Sequence, residues 1–261
     1  MPRKPRHYLA NVPHYILLSG HNKQAIFFNE QDYQQFCQYL SMMMRKYHIA
    51  IHAYTLLDNQ VHLLLSASDE EAIPRAIQYL NSCYVKYVNR CYERSGTLFQ
   101  GRHKASIVDP DGYLIACMAY IETLYGRTCS EANDAHTYPY CSYSANGCLE
   151  QEQEQQPSIE PQIAELIAEI ITPHPNYLRL GTDKLNRQQY YQQLCIDEVD
   201  EPTIKFIEDN LKINFPIASP YFIRNLSFET QLLFSHSKRG RPRKQKKSLF
   251  GFMLSARNPL L

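Results

Sequence analysis

Residues 49 to 65 leave this chain little conformational choice. They form a long apolar run broken by Asp58, Asn59 and a few polar side chains. The run reads as two strands, Ile49 to Leu57 and Val61 to Ser66, joined by a tight loop at Asp58-Asn59. Strand alternation puts Gln60, His62 and Leu64 on one face and Val61, Leu63 and Leu65 on the other. A buried polar group is costly unless paired. Gln60 and His62 therefore need an exposed edge, a neighbouring partner or a ligand.

The flanking pattern fixes the order of elements. His14 to Ser19 predicts a first strand. Asn29 to His48 predicts a helix, with Asn29 as cap, Glu30 and Asp32 in the first turn, and Phe36, Leu40 and Met43/Met44 at helical spacing. Asp69 to Arg94 predicts a second long helix, with Pro74 tolerated in its first turn. Leu98 to Val108 predicts a fourth strand carrying Arg102, His103 and Lys104. The turn Asp109-Pro110-Asp111-Gly112 then opens a third helix, Tyr113 to Tyr125. Strand, helix, strand, strand, helix, strand is the split βαβ, ferredoxin-like order: an antiparallel α+β sheet with helices on one face. The added third helix is positioned to pack beside the central strands and bring Tyr120 toward Gln60 and His62.

Four units are expected: a domain over 1–147, an acidic, Gln-rich linker over 148–161, a helical region over 162–234, and a basic tail over 235–261. Net charge is only +1, but Lys238 to Lys247 carries seven positive charges and no negative one. No apolar run approaches the roughly 20 residues of a membrane span, so a cytoplasmic protein is expected. The eight cysteines include no Cys-x-x-Cys pair, and reduced thiols are the working reading. Cys129, His136, Cys141 and Cys148 could be drawn as a zinc set, but their spacing matches no common zinc module.

Four stretches, in order, carry a resemblance. They are Leu57-Asp-Asn-Gln-Val-His-Leu-Leu-Leu65, Arg94-Ser-Gly-Thr-Leu-Phe-Gln-Gly-Arg-His-Lys-Ala105, Tyr113-Leu-Ile-Ala-Cys-Met-Ala-Tyr-Ile-Glu122 and Tyr138-Pro-Tyr-Cys-Ser-Tyr143. Together they resemble the HUH single-tyrosine transposases, specifically the group associated with repetitive extragenic palindromes (REP). That resemblance implies cleavage and rejoining of single-stranded DNA, with a structured hairpin as partner. It implies Tyr120 as nucleophile, a 5′-phosphotyrosine intermediate, and Mg²⁺ or Mn²⁺ held by His62 and the residue at position 60. The resemblance further implies an active unit that is a monomer or a homodimer.

The chain departs from the family pattern twice. Gln60 stands where the family has the first histidine of its pair. Leu124 stands where it has a polar ligand four residues after the tyrosine. Glutamine offers an amide oxygen to a hard cation; leucine offers nothing. Glu122 carries a carboxylate but faces away from Tyr120 on a regular helix. Two readings follow: an active transposase, or a catalytically inactive DNA-binding protein that keeps the fold. Arg102 and Lys104 are candidate phosphate contacts. In the tail, Arg239, Arg241, Arg243 and Lys244 resemble an AT-hook, which inserts arginines into a narrow minor groove.

Overall fold

The computed structural model describes residues 6–128, 138–147, 165–166, 169–197, 200–231 and 234. Four strands, β1 (His14–Ser19), β2 (Ile49–Leu57), β3 (Gln60–Ala67) and β4 (Lys104–Ile107), form one antiparallel sheet in the order β2-β3-β1-β4. The long helices are α1 (Glu30–Tyr47), α2 (Ala72–Cys91) and α3 (Leu114–Thr128). Strand order and direction are those of the ferredoxin-like arrangement.

Each helix start has a local cause. Asn29 and Asp32 form a reciprocal capping box at α1. Asp32 is fully buried, and its carboxylate also accepts from the Tyr87 and Tyr92 hydroxyls at 3.0 and 2.8 Å, tying α1 to α2. Asp109 accepts from the backbone N–H of Asp111 and Gly112, shaping the turn ahead of α3.

Two cores lie on opposite faces of the sheet. On one face, Phe36, Cys37, Leu40 and Met43 of α1 and Ile73, Ile77, Leu80 and Tyr84 of α2 pack on Ile16, Leu18, Val61, Leu63 and Leu65. These helical residues recur at three- and four-residue steps, so each helix buries a single stripe. On the other face, Cys117, Met118 and Ile121 of α3 pack on Tyr15, Ala53 and Leu64. A register shift between Ile51 and Ala53 in β2 leaves His52 as an extra residue. Beyond it, Thr55 stands opposite His62 and Leu57 opposite Gln60.

The rest of the chain completes the second face and covers the sheet edges. The segment 138–147 includes a short helix, α4 (Tyr143–Asn146), and bonds to β2 through Leu56 N–H to the Tyr140 carbonyl and Ser142 N–H to the Tyr54 carbonyl. Four further helices follow: α5 (Pro175–Leu178), α6 (Lys184–Asp197), α7 (Glu201–Ile213) and α8 (Pro220–Thr230). Between α7 and α8, Ile217 donates to the Ile107 carbonyl at 2.8 Å, and its own carbonyl accepts from Asp109 N–H at 3.0 Å. Both edge strands are thereby blunted against further pairing. Among the described residues no helix is long and apolar enough to cross a membrane.

The fourth strand is shorter than its sequence predicts. Leu98 and Phe99 are buried, but only Lys104–Ile107 pairs as a strand. Gly101 takes a positive φ of 66°, and the chain bends through 100–102 before β4 begins. Arg102 therefore lies on an exposed bend, and strand alternation does not pair it with Lys104. The expected linker, parts of the expected helical region including 162–164 and 167–168, and Cys129, His136 and Cys148 lie outside the described residues. The six described cysteines are all free.

Candidate active site

Strand register assembles the site on the α3 face of the sheet. Thr55, His62, Leu17 and Lys104 stand opposite one another across the four strands, and Leu57, Gln60 and Ser19 form the next row. Directly opposed residues share a face, so Lys104 lies on the same face as Gln60 and His62. The sequence expectation for β3 therefore holds, and the register adds Lys104.

His62 is 3 % exposed, and both of its ring nitrogens are engaged. The Gln60 amide oxygen lies 3.0 Å from Nε2, and the Tyr15 hydroxyl lies 2.7 Å from Nδ1. With an oxygen facing Nε2, that nitrogen carries the proton and Nδ1 accepts from Tyr15. Burial lowers the His62 pKa to about 3, so the ring is neutral. The two polar side chains on the apolar strand are thus each other's partners.

Tyr120 lies on α3 with its ring centroid 6.3 Å from that of Tyr15. It is 5 % exposed. Its hydroxyl donates to Glu208 Oε1 at 3.2 Å, on α7 from the C-terminal region. Burial, then the nearby Glu208 charge, raises the phenol pKa well above its usual value. The other Glu208 oxygen accepts from Lys212 Nζ at 3.3 Å. Leu124, one turn beyond Tyr120, is buried in the apolar core beneath α3.

Glu122 points elsewhere, as its spacing from Tyr120 requires. It is fully buried, and its carboxylate accepts from Asn146 Nδ2 at 2.7 Å, Tyr191 OH at 2.6 Å and the Ser142 hydroxyl. Burial raises its pKa to about 7, against the lowering effect of those three donors. Glu122 therefore joins α3 to α4 and α6, away from the tyrosine hydroxyl.

Arg102 is exposed and Lys104 half-buried. Beside them, the Arg6 guanidinium donates to the His103 carbonyl, and the Tyr8 hydroxyl lies 2.6 Å from His103 Nε2. The basic N-terminal arm thus meets the start of β4. Arg239, Arg241, Arg243 and Lys244 lie outside the described residues. Tyr15 and Glu208 carry no signal in the sequence. Each reaches the site across a long separation, 47 residues for Tyr15 to His62 and 88 for Tyr120 to Glu208.

Residues 11–123, which hold the sheet, α1, α2 and most of α3, match the sequence profile of the IS200-like transposases. Over these residues the chain is similar to the IS200-like transposases. Among solved structures it is similar to a REP-associated tyrosine transposase bound to a REP hairpin, at 13 % identity and a TM-score of 0.49 over 56 % of this chain and 85 % of that one. It is also similar to a Deinococcus radiodurans protein assigned as a transposase, at 16 % identity and a TM-score of 0.33 over 49 % of this chain and 97 % of that one. No curated protein matches it.

Against the pattern of that family, the site is short of metal donors. The family resemblance implies three protein ligands for a divalent cation. Here the one available imidazole lone pair is taken by Tyr15, the Gln60 oxygen keeps a single lone pair beside its bond to His62, and Leu124 has no donor atom, so at most one of the three expected donors remains. Among the described residues no three His, Cys, Asp or Glu side chains gather as a metal-holding group. The residues present do not fit a divalent metal.

Proposed function

We propose that this chain is a DNA-binding protein of the transposase fold that recognises structured single-stranded DNA, such as a hairpin, and has lost metal-dependent strand cleavage. The observation that carries the proposal is the closed Tyr15–His62–Gln60 chain of hydrogen bonds, with Leu124 in the position of the missing ligand. A phenol with a raised pKa is a poor nucleophile at neutral pH. The Glu208 carboxylate that accepts from its hydroxyl adds to the effect of burial, and the Arg127 charge offsets them only in part.

DNA binding is supported by Lys104 on the site's own face and by Arg6 and Arg102 beside it. In the tail, Arg239, Arg241, Arg243 and Lys244 add sequence-independent phosphate affinity. The REP hairpin held by the similar transposase gives the substrate class to try first.

A second reading keeps cleavage. It is favoured by the placement of Tyr120 on the same sheet face as His62, one tyrosine ring away. In that reading the Tyr120 oxygen attacks the scissile phosphorus. The bond to the 3′ oxygen breaks, leaving a 3′-hydroxyl strand and a 5′-phosphotyrosine.

A 3′-labelled hairpin separates the two. The proposal predicts saturable binding that weakens with salt, and no covalent adduct in Mg²⁺ or Mn²⁺. An adduct formed by the wild type and abolished by Tyr120→Phe would establish cleavage instead. Absence of any DNA binding would end both readings.

A further inference from the structure

Helix α8 buries only one side. Ser219 caps it, accepting from Phe222 N–H, and is itself held by Asp109. Leu226 packs inward. The opposite side presents Tyr221, 73 % exposed, and Phe228, 88 % exposed, with Arg224 between them and also exposed. Positions 221, 224 and 228 fall on one helical face, with the two rings about 10 Å apart along the axis.

Two large aromatic rings on one solvent-facing stripe are poorly explained by the fold. The neighbouring α7 shows the contrast, since its Phe206 stacks on Tyr113 at 5.0 Å. An aromatic stripe interrupted by a guanidinium suits a single-stranded nucleic acid. Bases stack on the rings without regard to sequence, and the cation meets a phosphate or a π-face. Charge complementarity points the same way. Beginning eight residues past the end of α8, Lys238 to Lys247 carries seven positive charges and no negative one.

We propose that Tyr221, Arg224 and Phe228 form a stacking platform for single-stranded DNA, separate from the Gln60–His62 face. The proposal rests on the DNA-binding reading above and adds a second contact site to it. The platform would hold unpaired nucleotides flanking a hairpin rather than the hairpin stem.

The chain contains no tryptophan, so Phe228→Trp in the full-length protein gives a single reporter on the stripe. Its emission should be quenched by a fifteen-residue oligothymidine and left unchanged by a blunt duplex of the same length. Tyr221→Ala with Phe228→Ala should weaken oligothymidine binding by about thirtyfold or more, since each stacked base contributes at least about 1 kcal/mol, with an unchanged melting temperature because both rings are exposed. If the wild type binds oligothymidine, the double variant binds it equally and the tryptophan is unmoved, the platform is refuted and the DNA-binding reading stands. If the wild type binds no DNA of any form, that reading fails and the platform with it. If the stripe instead mediates self-association, the double variant will change the sedimentation coefficient without changing DNA affinity, which also overturns the proposal.

Discussion

Replacing Glu122 with glutamine should change how the protein's stability depends on pH. The carboxyl is fully buried between α3, α4 and α6, and burial raises its folded pKa from 4.5 to about 7. A raised folded pKa means that the group's contribution is fully present below pH 4.5 and lost as pH rises through about 7. A rise of this size corresponds to about 3 kcal/mol. Glutamine keeps the shape and cannot titrate. Its amide, however, turns an N–H toward a pocket that already holds donors from Asn146, Tyr191 and Ser142. The variant should therefore start less stable in acid and gain on the wild type as pH rises. The groups around Glu122 do not confuse the reading. Cys141, Cys195, Tyr177 and Tyr191 all have raised pKa values, which keeps them neutral across the window. Urea unfolding of both proteins at intervals from pH 4.5 to 8 measures the difference. A difference that falls by about 3 kcal/mol across that range supports the account. Parallel curves would refute it.

Other perturbations test separate parts of the structure. Asp32→Asn puts an amide N–H against the Tyr87 and Tyr92 hydroxyls and the α1 cap, and should lose about 2 kcal/mol by denaturant unfolding; an unchanged midpoint would mean that the α1–α2 tie is not structural. Tyr15→Phe leaves His62 Nδ1 a buried acceptor without a donor, and should lose about 1 to 2 kcal/mol in the same assay. Arg102→Ala and Lys104→Ala should each lower the salt slope of hairpin binding by about 0.7 to 1, as expected when one phosphate contact is removed; an unchanged slope for both would remove the start of β4 from the DNA interface.

Local chemistry was legible in the sequence and long-range pairing was not. The alternation of Gln60, His62 and Leu64 against Val61, Leu63 and Leu65 is a property of adjacent residues, and β3 follows it. The Asn29 cap, the Pro74 position and the turn at Asp109 likewise depend on neighbours within a few residues. The fourth strand is shorter than the apolar pattern suggests because Leu98 and Phe99 are buried but pair only through an isolated bridge, Phe99 to Gly20. The positive φ of Gly101 marks the bend that separates this bridge from the continuous pairing of β4. Placing Tyr120 toward Gln60 and His62 followed from topology, and α3 does lie across that face. What holds the tyrosine hydroxyl did not follow, since Glu208 arrives from a helix beyond the acidic segment. Glu122 turns away from Tyr120, as a two-residue helical spacing requires. Its three partners come from positions 142, 146 and 191, which no spacing rule connects.

On the proposed reading, Gln60 and Leu124 leave a fold that binds DNA without cleaving it. Gln60→His together with Leu124→Asn restores the donor types that the family pattern has at those positions. Wild type and double variant should each be incubated with a 3′-labelled hairpin and Mn²⁺, then resolved on a denaturing gel. The account predicts no covalent species from the wild type and one from the double variant, abolished by adding Tyr120→Phe. A Tyr120-dependent adduct from the wild type itself would contradict it.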